Sequence, residues 1–250
     1  MARAALPGRL TWQFARVVET IAETPTAKTL VLEVPEWPGH DAGQHVDIRL
    51  TAPDGYQAQR SYSIASAPEH SHLELTIETI DDGEVSPYLT EELRVDDELE
   101  LRGPIGGYFV WREELGGPLQ LVAGGSGIVP LRSMLAHRAA VSSEIPTRLL
   151  YSARTLEDVI YRDELARAGE GVTLDLALTR AWPPDWAGLT GRVDQDTIAR
   201  VTFAAGERPW VYVCGPTGFV EHVSASMVAA GHPADRIKTE RFGPSGTGGS

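Results

Sequence analysis

The alternation of apolar and polar positions divides the chain into two halves. In the first half, residues 29–34, 45–50, 73–78 and 98–102 alternate with period two, the pattern of half-buried strands. The turn clusters Trp37-Pro38-Gly39, Ala52-Pro53-Asp54-Gly55 and Asp81-Asp82-Gly83 separate them. Short strands at close spacing predict a small antiparallel barrel or sandwich over residues 10–113. The same region holds one short helical piece, near 86–93, and no internal repeat.

After Gly116-Gly117-Pro118 the pattern changes. The apolar run Leu119-Gln120-Leu121-Val122-Ala123 ends in glycines, and a helix is predicted over 131–140. Strands at 148–152 and 173–179 flank a helical stretch near 161–168, and the strand 210–214 leads into a helix at about 219–230. Alternating strand and helix predicts a parallel α/β sheet. The expected organisation is therefore a barrel domain at 10–113, an α/β domain at 114–245 and a flexible Gly-Thr-Gly-Gly-Ser tail at 246–250.

Composition narrows the function classes. With 22 basic against 35 acidic residues the net charge is −13, which argues against nucleic acid or an anionic membrane as the main partner. No apolar run reaches the roughly 18 residues of a membrane span. Residues 1–10 contain Arg3 and Arg9 but no apolar core of signal-peptide length, so a cytoplasmic protein is expected. The single cysteine, Cys214, excludes an internal disulfide. It also excludes a plant-type iron–sulfur cluster held by this chain alone, which needs four thiolates. Any one-electron partner is then a separate protein. The oligomeric state stays open, and a monomer is compatible with the sequence.

The run Arg60-Ser61-Tyr62-Ser63-Ile64-Ala65-Ser66 is the first candidate for chemistry. Strand alternation sends Arg60 and Tyr62 one way and Ser61 and Ser63 the other. Such an element offers a cation for a phosphate, an aromatic plane for a flat ring and hydroxyls for the ring's polar edge. Taken alone it fits a surface strand equally well. The second candidate is Ala123-Gly124-Gly125-Ser126-Gly127-Ile128-Val129-Pro130, a glycine turn opening a helix whose first N–H groups favour an anion. Proline at 130 stands where the third glycine of the usual dinucleotide fingerprint belongs, so an ordinary βα turn is the alternative. The third is Val213-Cys214-Gly215-Pro216, which delivers a thiol to the carboxyl edge of the sheet, where ligands bind in open α/β folds. An inert buried cysteine is the alternative there. The fourth, Thr239-Glu240-Arg241-Phe242-Gly243-Pro244, ends the last strand.

Taken together and in this order, these motifs resemble the ferredoxin–NADP reductase superfamily, over nearly all of residues 12–245. That family joins an FAD-binding barrel to a nicotinamide-dinucleotide-binding α/β domain. The resemblance is nearest to compact bacterial reductases serving oxygenases, here without an attached iron–sulfur domain. For FAD it implies Arg60 on the pyrophosphate, Tyr62 against the ring, and Ser61 and Ser63 with the same strand, Ser63 near flavin N5. It also implies the backbone of Thr76, Ile77 and Glu78 at the pyrimidine edge, and a second phosphate site at Gly83, Val85 and Ser86. Leu101-Arg102-Gly103-Pro104-Ile105-Gly106 resembles the family's barrel-closing turn, although Asp96-Asp97 replaces its usual Gly-Asp. Phe242 is implied as a cover for the flavin.

For NAD(P)H the resemblance implies Gly125, Ser126 and Gly127 at the pyrophosphate, with Ser152, Arg154, Thr179, Arg180 and Arg192 toward the adenosine end. Cys214, Gly215 and Pro216 belong at the nicotinamide. Ser63, Cys214 and Glu240 are the implied catalytic group, with the thiol packing and orienting rather than attacking. Arg154, Arg180 and Arg192 lean toward NADPH over NADH. Asp194, where NADP-specific plant-type members carry tyrosine, leans the other way. The implied activity is hydride transfer from NAD(P)H to FAD, then electron transfer to a ferredoxin, flavodoxin or oxygenase component. A diaphorase acting on small acceptors and a non-catalytic flavin-binding subunit are the competing readings.

Overall fold

The computed structural model describes residues 10–242, apart from Asp81, Ala168 and Glu170. The expected tail at 246–250, with Gly243 and Pro244 before it, lies outside the described residues.

The first half contains β1 (Gln13–Thr24), β2 (Ala27–Glu33), β3 (His45–Thr51), β4 (Gln57–Ser63), β5 (Leu73–Glu78) and β6 (Glu98–Ile105). They form one antiparallel sheet in the order β4-β3-β6-β1-β2-β5. The two edge strands meet where Ile64 bridges Leu75 and the Ala65 N–H donates to the Glu74 carbonyl at 2.8 Å. The sheet is thereby rolled into a barrel, as the alternating pattern predicts. Its interior is filled by Leu30, Leu32, Val46, Ile48, Leu75 and Leu101, among others. The short helix near 86–93 is a π-helical turn, Tyr88–Glu92.

The first strand is absent from the sequence reading, although β1 is twelve residues long. Its pairing with β2 shifts register between Val17 and Glu19 and again between Ala22 and Thr24. A bulge inserts an unpaired residue and breaks the period of two.

The second half contains β7 (Leu119–Gly124), β8 (Thr147–Ala153), β9 (Val172–Leu178), β10 (Leu189–Thr190), β11 (Trp210–Pro216) and β12 (Ile237–Phe242). All five pairings are parallel, in the order β10-β9-β8-β7-β11-β12. The helices are α1 (Ile128–Ala140), α2 (Arg162–Leu165), α3 (Gln195–Val201) and α4 (Thr217–Ala229). The helix expected over 161–168 is the four-residue turn α2, because Tyr161 just before it is in the left-handed region at φ 60° with its ring buried against the barrel. The chain runs outward from β7 through β8, β9 and β10, then returns to place β11 on the other side of β7. That reversal makes the crevice beyond the carboxyl ends of β7 and β11 the favoured ligand site.

The expected boundary near 114 falls in the stretch between β6 and β7. One apolar cluster joins the halves, packing Ala42, Ala65, Phe109 and Trp111 against Ile128 and Met134.

Candidate functional site at the domain junction

The barrel seam supplies one wall. β4 pairs with β3 on one side. On the other side it meets β5 only at the Ile64–Leu75 end. The seam is therefore open along the rest of β4 and along 76–78 of β5, and an unpaired strand edge presents N–H and C=O groups to a ligand. Arg60 stands exposed at this opening. Its guanidinium donates to its neighbour's carbonyl, Gln59 O, at 2.7 Å and to Glu84 at 3.3 Å. Tyr62 packs half-buried on the barrel core, and burial pushes its phenol up to about 12, so it stays neutral.

The Gly83–Ser86 turn closes the far end of the opening. A Cβ on Gly83 would lie 2.9 Å from both Ile80 O and Ser86 Oγ, so no side chain fits in that turn. Ser86 is buried and accepts from the Ile80 N–H at 3.1 Å. Val85 is buried in the barrel core, so the turn offers backbone to a ligand. The Ser61 hydroxyl donates to Asp47 Oδ1 at 2.6 Å, and Asp47 also holds Arg102 at 2.6 Å, which leaves Ser61 its backbone for a ligand at the open edge. Thr76 and Ile77 turn their side chains elsewhere, Thr76 toward Thr29 and Tyr161 and Ile77 into the core.

The sheet edge supplies the other wall. Gly125-Ser126-Gly127 forms a single 3₁₀ turn between β7 and α1, with Gly125 in the left-handed region at φ 55°. A Cβ on Gly127 would fall on the Cys214 carbonyl, so the turn closes onto β11 only because residue 127 is glycine. α1 opens after this turn and α4 opens directly after Cys214-Gly215-Pro216. Two helix N-termini thus converge on the crevice, each with N–H groups suited to an anion. Ser152 ends β8 in register with Gly124. Thr179 donates its hydroxyl to Ala153 O at 3.2 Å, which ties the ends of β8 and β9 together. Arg180 is exposed just beyond β9, and Arg192 is exposed just beyond β10. Asp194 caps α3 by accepting from the Thr197 N–H at 2.8 Å.

The two walls touch. The Ser63 hydroxyl of the barrel lies near the Glu240 carboxyl of β12. Cys214 sits beside Glu240 in the strand register. Burial raises Glu240 to about 7, against the nearby Ser63 hydroxyl, which favours the carboxylate. Burial and the neighbouring Glu240 also push the Cys214 thiol well up, so it stays protonated and is a packing group rather than a nucleophile. Nearby, Arg154 donates to Glu78 of β5 at 3.1 Å. Phe242 packs against the shared apolar cluster as the last described residue.

Of the residues that hold these walls together, Glu74, Arg132, Ser133 and Tyr161 are not among the sequence candidates, and Thr76, Glu78 and Arg154 are expected there only as cofactor contacts. The polar positions of β5 each grip a different part of the second half. Glu74 pairs with Arg132 of α1, Thr76 with Tyr161, and Glu78 with Arg154. Arg132 also donates to Ala65 O at 3.3 Å, and its neighbour Ser133 to Ser66 O at 2.7 Å. The signal was present in the sequence: the outward, polar half of the 73–78 alternation is a face without a solvent role.

The junction suits the two groups that the motifs imply. The seam holds a cation, an aromatic plane, free strand edges and a turn opened by glycine, a set that suits an FAD. Across from it, the glycine turn and two helix N-termini suit a dinucleotide pyrophosphate. Among the described residues no three metal-binding side chains cluster, and no helix is long and apolar enough to cross a membrane.

Comparison with known proteins agrees with this construction. Residues 15–110 match the oxidoreductase FAD-binding domain family and residues 121–225 the oxidoreductase NAD-binding domain family. The chain is 32% identical over 213 residues to ferredoxin–NADP reductase B of Sorangium cellulosum, covering 81% of this chain and 85% of that one. It is 30% identical over 241 residues to a flavohemoprotein of Deinococcus radiodurans, with 92% of this chain and 59% of the relative covered. The reductase component of propane 2-monooxygenase from Rhodococcus jostii is 30% identical over 207 residues, 80% of this chain and 55% of the relative. The chain thus spans little more than half the length of the last two. Among solved structures, the FAD/NAD-binding domain of a nitric oxide dioxygenase from Vibrio cholerae superposes with a TM-score of 0.82 at 25% identity, covering 93% of this chain and 99% of that one. With its barrel and parallel sheet meeting at one crevice, the chain is an FAD- and nicotinamide-binding oxidoreductase that belongs to the ferredoxin–NADP reductase superfamily.

Proposed function

We propose that this protein is a reductase that takes hydride from NAD(P)H onto FAD and passes the electrons to a separate redox protein. The observation that carries the proposal is the meeting of the barrel seam with the carboxyl edge of the parallel sheet, where β5 grips the second half through Arg132, Tyr161 and Arg154 and Ser63 lies near Glu240 with Cys214 beside it. Residues from both walls thereby meet at one point, where two flat rings could be held face to face. FAD, when bound, supplies the conversion of a two-electron hydride into single electrons.

The protein's own groups act by position. Arg60 offers charge-assisted hydrogen bonds to a pyrophosphate, and its side chain is already at the opening. Tyr62 offers a neutral ring face, and the 76–78 edge offers backbone to a ring's polar rim. Ser63 and Glu240 hold and exchange a proton beside the reacting edge, a role suited to a carboxyl poised near neutral pH. Cys214, protonated and packed, fixes the depth to which a nicotinamide enters. Arrangement of this kind serves hydride transfer, which needs the reacting atoms held about 3–3.5 Å apart.

NADPH is the favoured coenzyme in this reading. Arg180 follows β9 and Arg192 follows β10, both exposed and both cations suited to a 2′-phosphate, whereas Arg154 is engaged by Glu78. The acceptor is read as a separate protein because this chain has one cysteine, and because the names of two relatives denote a ferredoxin reductase and an oxygenase reductase component. A cytoplasmic monomer completes the reading.

Stopped-flow bleaching of the bound flavin tests it. Mixing with NADPH should bleach the yellow protein faster than mixing with NADH. Ser63→Ala should keep its FAD and slow that step about tenfold or more. A yellow protein that neither coenzyme bleaches would refute the activity. Bleaching of Ser63→Ala at the unmodified rate would remove Ser63 from the reacting group.

A further inference from the structure

We propose that Glu78 is a built-in competitor of the coenzyme: its carboxylate, held beside the Gly125 turn by Arg154, stands where a dinucleotide pyrophosphate belongs and yields Arg154 to that pyrophosphate when the coenzyme enters. This inference rests on the reading above, in which the crevice takes NAD(P)H. It assigns to Glu78 and Arg154 the control of how tightly that coenzyme is held.

The three polar side chains of β5 that cross the junction differ in burial. Thr76 and Tyr161 are both buried, and their hydroxyls meet away from water. Glu74 and Arg132 pair with side chains only 12% and 18% exposed. These two contacts hold the halves together. Glu78 and Arg154 pair at 3.1 Å with side chains 25% and 50% exposed. An ion pair so open to water adds little to stability and exchanges readily. Arg154 is meanwhile anchored through its backbone, its carbonyl accepting from the N–H groups of Arg180 at 2.9 Å and Ala181 at 3.3 Å. The guanidinium can therefore change partner without moving the strand end.

Position puts this pair at the anion site. A Cβ on Gly125 would lie 4.0 Å from Glu78 Oε2, so one carboxylate oxygen faces the glycine turn while the other, Oε1, accepts from Arg154. The turn runs directly into α1, whose opening N–H groups favour an anion. Glu78 is thus the chain's own anion beside a turn suited to a phosphate. A pyrophosphate seated there meets a like charge in Glu78, and Glu78 also withholds the cation that would attract it. Both effects weaken coenzyme binding. Arg132, the arginine of α1, cannot substitute, because Glu74 and Glu164 already hold it. A pyrophosphate can take several charge-assisted hydrogen bonds at once, which lets it win Arg154 from a single half-exposed carboxylate. The motif resemblance sends Arg154 toward the adenosine end of the coenzyme; the Glu78 contact draws its guanidinium back to the turn. Looser binding of this kind speeds release of the oxidised coenzyme, a step that often limits turnover.

The experiment titrates the FAD-loaded protein with ADP-ribose, NAD+ and NADP+ by calorimetry. ADP-ribose carries the pyrophosphate but neither the nicotinamide nor a 2′-phosphate. Glu78→Gln should bind all three about fivefold more tightly, the scale of removing one like charge about 6 Å away near water. It should also need less NADPH for half-maximal flavin bleaching. Arg154→Gln should bind all three about fivefold more weakly, because Glu78 then faces the pyrophosphate unpaired. The double variant should fall between the two. The Tm of Glu78→Gln should stay within about 2 °C of the unmodified protein, as expected for a half-exposed pair. A clasp with no part in coenzyme binding predicts the reverse: a lower Tm with equal or weaker affinity in Glu78→Gln. That result would overturn the proposal. So would a gain confined to NADP+, which would put Arg154 on the 2′-phosphate instead. An unmodified protein that binds none of the three and is not bleached by NADPH would strike the underlying reading.

Discussion

The two walls of the crevice are built by different means. The barrel wall is chemical: Arg60, Tyr62 and Ser63 present charge, ring and hydroxyl from an open strand edge, and Arg60 has only weak, exposed partners. The α/β wall is spatial: its key positions are glycines that let β7, α1 and β11 approach, and a thiol kept neutral by burial. A substitution on the barrel wall should therefore change what binds. One on the other wall should change whether the wall exists. Two additional tests from the structure pull this contrast apart, and a third probes the point where the walls meet.

The largest effect is expected at Gly127. Gly127→Ala places a methyl on the Cys214 carbonyl, a backbone clash that no rotamer change relieves. Urea unfolding should show a loss of about 3 kcal/mol. A variant as stable as the unmodified protein would mean that the turn and β11 are not held together as described. Arg60→Ala is the opposite case. Its midpoint in urea should scarcely move, because an exposed pair such as Arg60–Glu84 contributes little. FAD binding should weaken by about 2 kcal/mol, roughly thirtyfold in Kd, measured by fluorescence titration. Unchanged affinity would separate Arg60 from the pyrophosphate.

The smallest effect is at Glu240. Its carboxyl titrates near 7 in the fold and near the ordinary glutamate value of about 4.3 when unfolded. The folded state therefore binds the extra proton between those values. The stability contributed by that proton is fully present below the lower value, falls as pH rises through the window, and is gone above the upper one. Glu240→Gln lacks this titration. The difference in Tm between variant and unmodified protein should shift in the variant's favour from pH 4.5 to pH 8, by a few degrees or on the order of 1 kcal/mol. Parallel curves across that range would show that Glu240 is solvated in the fold.

Much of this construction was legible in the chain. Alternation at 45–50, 73–78 and 98–102 reports strands because each buries one face in the barrel, and the β/α alternation after 118 reports a parallel sheet for the same reason. β1 escaped because its bulges shift the register of burial. The four-residue α2 was overread because Tyr161 is drawn toward Thr76 across the junction, a contact 85 residues distant in sequence. Ser61 was grouped with Ser63 on the strand period alone. The period cannot show that Asp47, on the neighbouring strand, takes up the Ser61 hydroxyl.

Residue type and order were sufficient for the architecture, the two cofactor classes and the motifs that carry them, because local backbone preference and burial periodicity are written along the chain. The meeting of those motifs was decided only in three dimensions. Ser63 comes near Glu240, Glu74 reaches Arg132 and Glu78 reaches Arg154 across separations that no local pattern encodes. The raised Glu240 carboxyl and the carboxylate beside the glycine turn follow from those contacts, since desolvation and charge pairing depend on distance in space rather than on distance along the sequence.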